Sequence, residues 1–219
     1  MKDYTSIEKA FPGLNKEYRF AKLEEKGAQR NPFEQFAQWL GDAVKANVSK
    51  PNAMIVSTVS AKGMPSSRVL LLKGFDEHGF VFFTHYTSPK AEDLKTTPRA
   101  SLVFFWPQQE RQVRITGKIK KTTRQESVDY FRGRSDDAKL ASWISAQSRT
   151  IKDRGALEEK LEATRRKFKG KEIPCPEFWG GYRLFPTDFE FWQGREYRLN
   201  DRLLYRKTLR GWKIQRLQP

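Results

Sequence analysis

From Pro51 to Lys121 the chain runs in short stretches of β-branched and aromatic residues, and this texture restricts its fold more than any other feature. Residues 53–60 (AMIVSTVS), 66–73 (SSRVLLLK), 80–85 (FVFFTH), 99–106 (RASLVFFW) and 111–121 (RQVRITGKIKK) each read as a strand. AKG and DEHG supply hairpin turns between them, and SPKAEDLKTT (88–97) a short helix. Upstream, Asn31 offers an N-cap and Pro32 a first helical residue, followed by Phe33, Phe36, Ala37, Leu40, Val44 and Val48 at helical spacing. An amphipathic helix is predicted over 32–48. Downstream of Thr122 the period turns helical three times, in 124–134, 137–147 and 153–168. Three or four closing strands are then predicted across 179–186, 189–194, 197–207 and 211–219. Antiparallel strands joined by hairpins and interrupted by helices predict a mainly β, α+β chain: a β-barrel decorated with helices. Residues 1–30 read as a loosely attached arm with a short helix, and 31–219 as a single domain.

Composition narrows the function classes. Aromatic residues make up 13% and hydrophobic residues 37%, which excludes a disordered basic tail. The net charge of +16 attracts anions, whether nucleic acid, acidic membrane or phosphorylated small molecules. No long Lys/Arg block favours nucleic acid among these. The lone Cys175, between two prolines, excludes an internal disulfide and fits a reducing compartment. The charged N-terminus lacks an apolar leader, and the longest apolar run, Leu102–Trp106, is too short to span a bilayer. A cytoplasmic protein without membrane contact is expected.

Familiar reactive motifs are missing. Neither G-x-G-x-x-G nor G-x-x-x-x-G-K-[ST] occurs, and His78 and His85 do not form a convincing metal pair, so no metal is expected. If the chain is an enzyme, its reactive group comes from a bound cofactor. Several segments could hold one. On a strand, Arg68, Leu70 and Leu72 share one face, and Val69, Leu71 and Lys73 the other. Ser88 and Lys90 open a helix, a natural anion site. Tyr130 and Arg134, four apart, pair a phenol with a guanidinium. Gln112 lies between Arg111 and Arg114, and Gln147-Ser148 supply neutral donors. FWQGREYRLNDRLLY (191–205) sets Trp192 beside Arg195, Arg198 and Arg202. Alone, each is an ordinary polar surface feature; together they suit a ligand with two anionic groups and a polar heteroaromatic ring.

In this order the segments resemble the pyridoxine/pyridoxamine 5′-phosphate oxidase family from about Asn31 to Pro219. The resemblance is carried by P-N-A-M (51–54), S-R-V-L-L-L-K (67–73), E-R-Q-V-R (110–114), W-G-G-Y-R (179–183), E-F-W-Q-G (190–194), R-L-x-D-R (198–202) and R-L-x-P (216–219). It implies an FMN-binding split β-barrel, a homodimer with FMN at the subunit interface, and oxidation of pyridoxine or pyridoxamine 5′-phosphate to pyridoxal 5′-phosphate with O₂ reduced to H₂O₂. Residue by residue, it implies that Arg68 and Lys90 hold the FMN phosphate. Val69, Leu70, Leu71, Leu72 and Lys73 would lie along the flavin, joined by Phe83, Thr84, Gln112, Gln147, Ser148, Trp192 and Arg202. Lys73, Tyr130 and Arg134 would grip the substrate phosphate. Arg198 would close over the pyridine ring, with Asn200 beside it; Arg195 receives no role and reads as a surface charge.

Four positions depart from the family pattern: Asn200 stands for His, Ala138 for Ser, Pro89 for Arg, and Asn15-Lys16 for Arg-Arg in the N-terminal arm. Three fall on the substrate side, so cofactor binding is the safer expectation. Other readings are a related flavin oxidase acting on another reduced ring, as in phenazine-pathway relatives, a flavin-binding protein without turnover, and a basic barrel binding single-stranded nucleic acid.

Overall fold

A computed structural model describes Tyr18 and residues 21–219. Asn15-Lys16 and most of the expected arm lie outside the described residues. The strands are β1 (Ala53–Val59), β2 (Pro65–Leu71), β3 (Gly74–Asp76), β4 (Gly79–His85), β5 (Arg99–Trp106), β6 (Arg111–Lys121), β7 (Trp179–Gln193), β8 (Asp201–Thr208) and β9 (Gly211–Arg216). The helices are α1 (Pro32–Lys45), α2 (Pro89–Thr96), α3 (Arg124–Arg132), α4 (Asp136–Ile144) and α5 (Arg154–Phe168). Hydrogen bonding orders the sheet β2-β1-β5-β6-β7-β4-β3, with β8 paired to both β7 and β9. The α+β class predicted from periodicity is the one observed.

Local chemistry sets the helix starts. Asn31 accepts a hydrogen bond from Phe33 N (3.0 Å) ahead of Pro32. Thr123 and Glu126 form a reciprocal capping box on α3, and Ser135 and Asp153 cap α4 and α5. One strand expectation is settled and one corrected. Of the three or four closing strands expected, three form, because residues 179–186 and 189–193 run as one strand through Pro186. The run predicted from Tyr197 begins only at Asp201, because left-handed backbone at Tyr197 and Arg198 (φ 56° and 59°) breaks the extended chain before it.

The backbone divides into two compact units. The first comprises residues up to 51, 105–114 and 189–219. The buried stripe of α1 meets an aromatic core here, with Phe33 edge-on to Phe189 (5.2 Å) and Trp39 edge-on to Phe191 (5.3 Å). Residues 21–30 are tied to the β8–β9 hairpin: Arg216 pairs with Glu25 at 2.8 Å, and Tyr205 Oη donates to Gln29 O at 2.8 Å.

The second unit comprises residues 52–104 and 115–188. Met54, Val56, Phe80, Phe82, Leu102, Phe104, Ile115 and Leu184 are buried in it. The rings of FVFF and LVFFW therefore mostly pack inward, which removes them as stacking platforms for single-stranded nucleic acid. One face of the β1–β2 hairpin stays uncovered and largely apolar: Ile55, Val59 and Val69 are exposed, Val69 to 66%, around the Ser57–Ser67 pair. The antiparallel register sets Ile55 opposite Val69.

Candidate functional site

In the second unit a cavity of about 550 Å³ opens where β4 ends, lined by Phe83, Thr84, His85, Lys73, Tyr130, Arg134 and Trp179. The far wall is Ser135, Ala138, Ala141, Ser142, Ser145 and Gln147. The three residues expected around a substrate phosphate, Lys73, Tyr130 and Arg134, thus line one cavity. Arg134 lies beyond the end of α3 rather than on its face, since the helix stops at Arg132. Its Nη1 donates to Ser142 Oγ (2.6 Å) and its guanidinium lies 4.8 Å from the Trp179 ring centroid. Tyr130 stacks on Phe83 at 3.9 Å, and Phe83 on Trp179 at 5.3 Å, both nearly parallel.

The W-G-G run has a steric reason. A Cβ on Gly180 would lie 2.2 Å from Tyr86 Oη, and one on Gly181 2.5 Å from Thr122 Oγ1 and 2.9 Å from the Phe83 ring. Only glycines let β7 pass so close to Tyr86, Thr122 and Phe83. Ala138 faces the cavity without a hydroxyl, but Ser135, Ser142 and Ser145 line the same wall.

Beside the cavity lies a buried cation. Lys90 is 5% exposed, and its Nζ donates to Gln147 Oε1 (2.7 Å), Thr84 Oγ1 (3.1 Å) and Ser88 Oγ (3.3 Å). Burial, with a smaller contribution from the charge of Arg68, lowers its pKa to about 8. Pro89 occupies the first turn of α2, a position that tolerates proline's missing N–H. Thr84 also donates to Gln147 (2.7 Å), so two residues expected near flavin orient the lysine. Ser148 adopts a left-handed backbone (φ 66°). On β2, Arg68 is half-buried, Val69 and Leu71 are exposed, and Leu72 just beyond the strand is buried.

His85 carries more than the sequence reading gave it. The ring is buried and stacks on Phe178 at 5.6 Å, and Nδ1 has no hydrogen-bond partner among the described residues. Burial first, then the charges of Lys90 and Arg134, lower its pKa to about 4. Because the folded value lies below the ordinary 6.5, the unfolded chain binds the extra proton between pH 6.5 and 4. Stability is therefore lost as pH falls through that window. Urea unfolding at pH 7 and pH 5 should show His85→Asn losing about 2 kcal/mol less than the parent over this interval. Equal losses would mean His85 does not carry the acid sensitivity.

The remaining predicted residues belong to the first unit. Gln112 lies on β6, and Trp192 on β7 meets Tyr18 edge-on at 5.5 Å. Arg202 is held by Glu190 (2.8 Å) and by Gln218 O (2.7 Å). Arg198 and Tyr197 occupy consecutive left-handed positions (φ 59° and 56°), a strained pair for non-glycine residues. Asn200 closes this loop, its Oδ1 accepting from Arg195 N at 3.0 Å. Arg195 is more than the free surface charge expected of it: it pairs with Asp201 at 3.1 Å, and Asp201 pairs with Arg216 at 2.8 Å.

Comparison with known proteins follows the same segments. Residues 40–168 match the family model of pyridoxamine 5′-phosphate oxidase, and residues 179–219 that of the pyridoxine 5′-phosphate oxidase C-terminal dimerisation region. A Pseudomonas paraeruginosa protein named pyridoxine/pyridoxamine 5′-phosphate oxidase is 50% identical over 208 residues, covering 94% of this chain and 97% of its own. Its namesake from Gloeothece citriformis is 46% identical over 215 residues, covering 97% and 100%. Among solved structures, PhzG from Burkholderia lata, in complex with tetrahydrophenazine-1-carboxylic acid, matches with a TM-score of 0.86 at 31% identity. That match covers 93% of this chain and 100% of that one. A pyridoxamine 5′-phosphate oxidase-related, FMN-binding protein from Nostoc punctiforme shares the fold, with a TM-score of 0.68 at 20% identity, covering 86% and 97%. The fold is the split β-barrel that the strand pattern and the resemblance led us to expect. Among the described residues, no helix is long and apolar enough to cross a membrane.

Proposed function

Because the chain belongs to the pyridoxamine 5′-phosphate oxidase family, whose enzymes are oxidoreductases, we propose that it binds FMN and oxidises pyridoxine or pyridoxamine 5′-phosphate to pyridoxal 5′-phosphate. The observation that carries this reading is the sharing of Thr84 and Gln147: both line the cavity of Lys73, Tyr130 and Arg134, and both hydrogen-bond Lys90. Two anion-binding groups are thereby built from one set of side chains, as a phosphorylated cofactor next to a phosphorylated substrate requires.

The donor set fits FMN. Three bonds to protein oxygens engage three of the five N–H donors of Arg68, leaving two for a phosphate, and Lys90 adds an ammonium. Val69 and Leu71 offer apolar surface along β2 for a flat ring. FMN, when bound, supplies the two-electron acceptor for hydride from the substrate C4′ carbon and passes the electrons to O₂, releasing H₂O₂. The protein's part is alignment. Lys73, Tyr130 and Arg134 anchor the substrate phosphate, and binding energy at that remote group fixes the reacting carbon. Arg198 covers the pyridine ring, with Asn200 closing its loop.

A homodimer is part of this reading. It is supported by the match of residues 179–219 to a dimerisation region and by the uncovered, largely apolar face of β1–β2, which suits a second copy. A second reading, oxidation of another reduced ring, is favoured by the likeness to PhzG and by the alanine at 138.

Incubation of the FMN-loaded protein with each phosphorylated vitamer should yield pyridoxal 5′-phosphate and H₂O₂ in equal amounts. FMN binding without either product would sink the substrate assignment and turn attention to reduced tricyclic rings. Failure to retain FMN at all would remove the cofactor as well.

A further inference from the structure

Asp93 has no role in the reading above, yet its hydrogen bonds leave Arg68 only one arrangement. Arg68 Nη1 donates to Val56 O (3.0 Å) and Thr58 Oγ1 (2.8 Å), while Nη2 donates to Ser66 Oγ (2.7 Å). Thr58 is 1% exposed and sits 2.6 Å from Asp93 Oδ2. A guanidinium cannot accept and an ionised carboxylate cannot donate. The one hydroxyl proton of Thr58 must therefore go to Asp93, and its lone pair must face Arg68. Asp93 stands one turn beyond Lys90 on α2, so the chain Asp93–Thr58–Arg68 ties the helix bearing one proposed phosphate ligand to the strand bearing the other.

We propose that Asp93 is a positioning residue for the flavin phosphate: through Thr58 it orients Arg68 so that its two remaining N–H donors are presented to the anion. This rests on the reading that Arg68 and Lys90 hold the FMN phosphate. The carboxylate also has an opposing effect, since a negative charge near a phosphate repels it. Positioning prevails here because Asp93 reaches Arg68 through a short, fully committed hydroxyl, which an exposed carboxylate in solvent would not provide.

The two effects separate by substitution. Asn keeps an oxygen to accept the Thr58 proton but carries no charge; Ala removes both. Dissociation constants for FMN and for riboflavin are measured by flavin fluorescence on the full-length protein freed of flavin. The ratio of the two isolates the phosphate contribution. Asp93→Ala should weaken FMN about tenfold and leave riboflavin unchanged, with Asp93→Asn within about threefold of the parent. Thr58→Val should reproduce the alanine effect, and the double variant should add nothing further. An unchanged ratio in Asp93→Ala, or tighter FMN binding in both Asp93 variants, overturns the proposal. A parent protein that binds riboflavin as tightly as FMN would instead overturn the phosphate reading on which it stands. If Asp93→Ala fails to fold, the Thr58→Val ratio decides alone.

Discussion

Replacing Arg134 by alanine is expected to lower kcat/KM for pyridoxine 5′-phosphate about a thousandfold while FMN content stays at the parent level. The size follows from the bonds at stake. A guanidinium gripping a phosphate makes two charge-assisted hydrogen bonds, each worth roughly 1.5–3 kcal/mol, and about 4 kcal/mol corresponds to three decades. Part of the loss should appear in kcat, because the phosphate anchor aligns the reacting carbon as well as capturing the substrate. Arg134 also contacts Ser142 and Trp179, so a general loosening of the cavity must be separated from loss of the grip. Dephosphorylated pyridoxine makes that separation: its slow turnover should be nearly the same in parent and variant. Lysine at this position should restore only part of the rate, since a point charge lacks the planar fork. A kcat/KM within tenfold of the parent would show that Arg134 does not hold the phosphate.

That Lys73, Tyr130 and Arg134 share a cavity was legible in the sequence, and the reason is local. Strand alternation placed Arg68 and Lys73 on opposite faces of one segment, and the N-cap at Asn31 fixed the start of α1. The Tyr130/Arg134 spacing put a phenol and a guanidinium on one cavity even though Arg134 leaves the helix. Bonds between distant segments were the part that periodicity could not supply. Nothing around His85 marks it as a buried imidazole between Lys90 and Arg134, because its environment is assembled from α2, the turn after α3, and Phe178. Asp93 was equally silent, being one acidic residue on a short polar helix until Thr58 of β1 comes within 2.6 Å.

What stayed open or differed has the same origin. Whether 179–186 and 189–194 were one strand or two was open in the sequence, since proline cannot donate to a ladder, yet β7 continues through Pro186. The YRLN stretch read as strand because its residues alternate. Left-handed backbone at Tyr197 and Arg198 instead folds it into a loop that Asn200 ties to Arg195. Asn200 therefore has a local structural use, and the departure from histidine is no sign by itself of a defective pocket.

Lys90→Met is expected to weaken FMN about a hundredfold and at the same time to stabilise the flavin-free protein near neutral pH. Both follow from one fact, the burial of an ammonium. Losing a charged hydrogen bond to the flavin phosphate accounts for roughly 1.5–3 kcal/mol of affinity. In the flavin-free protein the folded pKa of Lys90, about 8, lies below its ordinary 10.5, so folding disfavours the protonated lysine. Across pH 8 to 10.5 the unfolded chain binds more protons than the native one, and stability rises with pH in that window. Methionine, apolar and adaptable, removes the burdened charge, and Gln147 Oε1 still accepts from Thr84. The parent's affinity for FMN should fall as pH rises through 8, by at most tenfold per pH unit, because the ligand-free lysine is then neutral while the phosphate, with its second pKa near 6, keeps its charge. The variant should show no such fall. Measured together, flavin affinity and thermal unfolding of the flavin-free protein from pH 7 to 10 test both effects. A variant that binds FMN normally removes Lys90 from the phosphate site. One that binds poorly but is also less stable at pH 7 means that the hydrogen bonds of Lys90 to Thr84, Ser88 and Gln147 outweigh its desolvation. Between those outcomes lies the expected one, a site that holds a cation ready for an anion at the expense of the empty protein's stability.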